Sequence, residues 1–80
     1  MRTVIPFSKY DILKRLKQRR IELKLAQKSI AYELGIKIPS YSMKEAGING
    51  ITIDELLTIC YVLDFPPDEL FKGLMMKKPE

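Results

Sequence analysis

The sequence predicts an all-α domain of five short helices, and three observations predict it. From Leu25 to Gly47, the residues Gln27, Ile30, Ala31 and Leu34 fall at helical spacing, and Gly35 then supplies a residue tolerant of a left-handed backbone. A second helical segment follows from about Ile38 to Glu45, and two helices joined by so tight a turn have helix-turn-helix grammar. Ser8 with Asp11, and Thr52 with Glu55, each place a hydroxyl three residues ahead of an acid, the signature of a capping box that opens a helix on either side of that pair.

In chain order, residues 1–8 form an arm, residues 9–72 the folded domain and residues 73–80 a tail. The arm is β-prone and interrupted by Pro6, too short to fold alone. The first helix runs from Lys9 to Leu23 with an apolar stripe of Leu13, Leu16 and Leu23, widened by Ile12 and Ile21. Arg20 lies on that stripe, where a charge is costly unless paired, so a buried carboxylate must meet it. The second helix starts near Ala26 and Gln27 without a capping side chain, which leaves amides free to meet a phosphate. In the third, Pro39 is tolerable because it falls in the first turn. Tyr41 should point inward, Ser40, Met43 and Lys44 outward, and Glu45, four residues after Tyr41, is the carboxylate that Arg20 requires. Asn49-Gly50 marks a turn. The fourth helix is expected to bury Ile53, Leu56, Leu57, Cys60 and Leu63, with Asp64 ending it. Pro66-Pro67-Asp68-Glu69 opens a short fifth helix through Leu70 and Phe71, with acids in its first turn.

Composition narrows the function classes. Eighty residues make one domain, and the apolar runs fall far short of the roughly 20 residues of a membrane span. Arg2 is followed only by Val4 and Ile5 before Pro6, so no signal peptide is expected. Cys60 is the single cysteine and histidine is absent, so neither an intrachain disulfide nor the usual zinc site is expected, and a reducing cytoplasm fits best. Without histidine, and with no Ser or Cys in a nucleophile motif, neither enzymatic activity nor a cofactor is expected. Charge is uneven: residues 1–28 hold nine basic against two acidic side chains, and the remainder five against eight, a pattern that suits a polyanion on one face.

These helices and their spacing resemble the lambdoid phage repressor and Cro-like domain, the xenobiotic-response-element family of regulators. The likeness runs through Leu25, Gln27, Ile30, Ala31, Leu34-Gly35-Ile36, Ser42, Glu45 and Gly47, then Thr52-Ile53, Leu56, Leu63 and Asp68-Glu69-Leu70-Phe71, covering about Ile12 to Phe71 without gaps. It implies a compact five-helix, lambda-repressor-like DNA-binding domain with the helix-turn-helix at helices two and three, a transcriptional regulator acting as a repressor on double-stranded DNA. It further implies Gln27 on a DNA phosphate and a buried pair of Arg20 with Glu45.

The chain departs from the family where Ala26 and Lys37 stand in place of Ser or Thr caps, and where Ile38, Pro39 and Met43 replace polar residues facing the bases. Ile38 and Met43 can touch a thymine methyl but offer no bidentate hydrogen bonds. Phosphates are expected to meet Gln27, Lys24, Lys28 and Lys44, and bases Ile38, Ser40 and Met43, with Lys37, Ser42 and Asn49 as further polar candidates. A protein-interaction module on the same fold, such as an antitoxin, is the alternative. A homodimer is expected from the apolar residues Val4, Ile5 and Phe7 and Leu74, Met75 and Met76, with two recognition helices about 34–36 Å apart on a roughly palindromic operator.

Overall fold

The computed structural model describes residues 8–74, which form α1 Lys9–Glu22, α2 Gln27–Leu34, α3 Ile38–Glu45, α4 Ile53–Val62 and α5 Pro67–Leu70. Two of these helices start at their capping boxes. The Ser8 N–H donates to the Asp11 carboxylate at 2.6 Å, while the Thr52 N–H donates to Glu55 at 2.9 Å and the Glu55 N–H returns to the Thr52 hydroxyl at 3.1 Å. Gly35 ends α2 at φ 68°, and the Ile36 N–H closes the turn on the Ala31 carbonyl at 3.0 Å. Helix α2 packs against α3 and α4, and α1 against α3 and α5. The core between them holds Leu13, Leu16, Ile30, Ala31, Tyr41, Ile59, Cys60, Leu63 and Leu70. Cys60 sits there as a small apolar residue, its thiol pushed up by burial.

Three core expectations are corrected. Leu23 and Ile21 do not extend the α1 stripe but are exposed: Leu23 lies past the end of α1 at Glu22, where Lys24, at φ 58°, then turns the chain away, and Ile21 is rotated off the helix face that holds Leu13, Leu16 and Arg20. Ile53 and Leu57 are exposed, and Ile59 is fully buried in their place. Every non-acidic residue of α4 except Thr58 is apolar, so two stripes are available, and the packing of α2 selects the one through Leu56, Ile59, Cys60 and Leu63. Leu74 is not a surplus apolar residue, since it is buried beyond α5. Arg2, Val4, Ile5, Phe7, Met75 and Met76 lie outside the described residues.

Gly47 locks α1 to the end of α3. Its φ is 82°, its carbonyl accepts from the Lys9 ammonium at 2.8 Å, and a Cβ built on it meets Tyr10 Cε1 at 2.7 Å and Leu13 Cδ1 at 3.1 Å. Gly35 shares the positive φ but faces open space. Gly35→Ala therefore carries only the left-handed penalty of about 1 kcal/mol, whereas Gly47→Ala adds displacement of Tyr10 and Leu13 and should cost about 2–3 kcal/mol. Thermal melts should separate the two variants by several degrees, and equal melting temperatures would show that the Tyr10 contact yields freely.

Candidate nucleic-acid interface

One carboxylate holds the helix-turn-helix in register with α1. Arg20 donates from Nε to Glu45 Oε2 at 2.9 Å and from Nη2 to Oε1 at 3.0 Å, a bidentate pair with 12 % and 3 % of the two side chains exposed. The third arginine nitrogen donates to the Leu25 carbonyl at 2.7 Å, which fixes the chain entering α2. Gln27 Nε2 donates to Glu45 Oε1 at 3.2 Å, so α2 joins the same carboxylate. Burial alone would raise the Glu45 pKa, but hydrogen bonds from Arg20, Tyr41 and Gln27 outweigh it and hold the carboxyl below its ordinary range. The Tyr41 hydroxyl is pushed up, first by burial and then by its hydrogen bond to Glu45.

That network sets the first turns of α2 and α3. No side chain caps α2; the Ser29 N–H is taken by the Ala26 carbonyl at 3.1 Å, and the amides of Gln27 and Lys28 are left uncapped. Gln27 has a second amide N–H beyond the one given to Glu45. Helix α3 likewise starts at Lys37 without a side-chain cap. Lys28 and Lys37 flank one shallow notch floored by Ala31 and Ile36 and edged by Tyr32, Ile38 and Pro39, so the two uncapped starts share a surface. Both lysines are exposed and neither forms an ion pair among the described residues.

The remaining sequence candidates separate by environment. Ile38 and Met43 are exposed on α3, Ser40 and Ser42 are half-buried, and Asn49 reaches back to the Met43 sulfur at 3.9 Å. Lys44, expected on a phosphate, folds onto the Gly50 carbonyl at 2.8 Å and onto Glu55 at 3.1 Å, which ties α3 to α4. Tyr32 escaped the sequence reading although it lies off the Ile30, Ala31 and Leu34 stripe; it is 81 % exposed beside Lys28 and Lys37.

Much of the basic charge of the first 28 residues serves the fold. Arg15 donates to the carbonyls of Leu70, at 3.0 Å, and Lys72, where α5 ends. Arg19 donates to those of Leu63 and Asp64, each at 3.0 Å, where α4 ends, and lies 5.8 Å from the Phe65 ring centroid. Each arginine satisfies terminal carbonyls at the negative end of a helix dipole. Lys14, Lys17, Lys24 and Lys28 remain exposed.

A helix-turn-helix family model matches residues 16–70, well over half of the chain, a span that holds the second half of α1 and all of α2 to α5. No curated protein and no solved structure matches the chain. Among the described residues no helix is long and apolar enough to cross a membrane.

Proposed function

Because the chain belongs to the Cro/C1-type helix-turn-helix family of DNA-binding transcription regulators, we propose that it acts as a repressor, docking α3 in the major groove and binding as a homodimer. The observation that carries this reading is the shared surface at the starts of α2 and α3, where two lysines with no ion pair among the described residues and two helix starts without a side-chain cap converge beside exposed Ile38. Gln27, Lys28, Lys37 and the α2 amides hold phosphates in this arrangement, with Lys24 at the preceding turn. Ile38, Ser40 and Met43 face the bases. Apolar contacts to thymine methyls select sites containing A·T pairs with modest preference over random DNA.

Selection of bound sites from random duplexes tests the reading. Met43→Ala should relax base preference while leaving the slope of log K against log salt unchanged, since Met43 touches no phosphate. If the wild-type protein showed no salt-sensitive binding to any duplex at low ionic strength, the DNA reading would fall, and exposed Ile38, Met43 and Tyr32 would be left as a surface for a protein partner.

A further inference from the structure

The outer face of α4 carries a stripe that the core does not use. Ile53, Leu57 and Tyr61 are 77 %, 51 % and 87 % exposed, and their spacing of four residues puts them on one side of the helix. Side chains of this size and exposure present on the order of 400 Å² of apolar surface, within the range of the largest patch on a typical monomer. Beside the stripe lies a notch of about 330 Å³ between Leu57 and Tyr61 on one side and Phe65, Pro66 and Pro67 on the other, with Cys60 among its lining residues.

We propose that this face is where a second copy of the chain docks, α4 against α4 in antiparallel sense, with the twofold axis passing beside Leu57. The proposal rests on the homodimer reading above and names its surface. Leu57 is the midpoint between Ile53 and Tyr61, so an antiparallel partner sets Leu57 on its twin and each Ile53 over the other copy's Tyr61. Ile53 is an exposed side chain one helical turn before Leu57, and the notch is lined by Leu57 itself and by residues that follow it, among them Tyr61 and Phe65 to Pro67. The symmetry that joins the two helices therefore seats each Ile53 in the opposite notch, a self-complementary contact of the kind an isologous interface requires. The same register brings each Asp54 carboxylate toward the other copy's Tyr61 hydroxyl, a polar contact at the rim. Two stripes together cover about half of the ~1,600 Å² of a stable interface, and the notch walls add to it. Helix α4 meets α2 through its inner face, so pairing along its outer face does not compete with that packing.

Sedimentation from low to high micromolar concentration, free and on a duplex, tests the proposal together with Leu57→Glu and a control, Ile21→Glu, placed on the exposed side of α1. The wild type and the control should approach twice the 9.3 kDa chain mass, and Leu57→Glu should raise the dimer dissociation constant at least tenfold while keeping the wild-type helical circular dichroism. Leu57→Cys in a Cys60→Ser background should cross-link to itself on mild oxidation, because the axis brings the two position-57 side chains face to face. The proposal is overturned if the wild type stays at 9.3 kDa both free and on DNA, if Leu57→Glu weakens the dimer no more than Ile21→Glu does, or if position 57 fails to cross-link in a protein that does dimerise. A dimer weakened by Leu57→Glu but without affinity for any duplex would uphold this interface and remove the DNA reading. Salt-dependent binding by a strict monomer would do the reverse.

Discussion

Glu45→Ala should cost on the order of 3–5 kcal/mol, the largest single loss expected in this chain, because it strands the Arg20 guanidinium in a site where only 12 % of that side chain reaches water. A domain of this size is stable by roughly 4–12 kcal/mol, so the variant should be partly unfolded at physiological temperature. Arg20→Met should lose a similar amount by leaving Glu45 without its bidentate partner. The double variant Arg20→Met with Glu45→Leu should recover part of the loss. Its recovery is incomplete because the Leu25 carbonyl loses the donor that holds it at 2.7 Å, and Gln27 and the buried Tyr41 hydroxyl lose their acceptor, at about 1–3 kcal/mol for each buried group left unpaired. Acid adds a second test. The folded-state pKa of Glu45 is lowered, so its contribution is present above the unfolded carboxyl value of about 4.3 and is lost as pH falls through the folded value. Chemical denaturation midpoints of the wild type should therefore drop below that pH more steeply than those of Arg20→Met with Glu45→Leu. If Glu45→Ala and Arg20→Met each melted within a degree of the wild type, the pair would have no stabilising role.

The contrast between that pair and the rest of the charge shows what the sequence can carry. Arg20 and Glu45 were readable because each lies on a helix whose period is plain, so register alone turns both inward. The boundaries of α2 and α3 were readable for the same reason, with Gly35 marking the turn. Arg15 and Arg19 were not readable. Their partners are backbone carbonyls 44 to 57 residues away, and no side-chain pattern announces a carbonyl. Lys44 was hidden in the same way, because Glu55 becomes its neighbour only after the Asn49-Gly50 turn brings α4 alongside α3. In α4 the difficulty was an excess of signal. With Ile53, Leu57 and Tyr61 as apolar as Leu56, Ile59 and Cys60, periodicity fits either face, and only packing on α2 decides.

Lys28→Ala with Lys37→Ala should weaken binding to every duplex sequence alike and flatten the salt dependence. Each phosphate neutralised contributes about 0.9 to the slope of log K against log salt, so losing two contacts lowers it by about 1.8. Between 50 and 200 mM salt that difference is roughly a tenfold change in how much affinity is lost. The expectation follows from which cations remain available. Arg15, Arg19 and Lys9 hold backbone carbonyls, Arg20 and Lys44 hold carboxylates, and Lys28 and Lys37 alone flank the notch where α2 and α3 begin. Both are exposed, so the double variant should fold as the wild type does and melt at nearly the same temperature. Lys44→Ala provides the contrast. It removes the tie between α3 and Glu55, so it should lower stability by up to about 1 kcal/mol and leave the salt slope near the wild-type value. A titration in which Lys44→Ala flattened the slope while the Lys28 and Lys37 double variant did not would move the phosphate contacts to the far end of α3, and the binding surface with them.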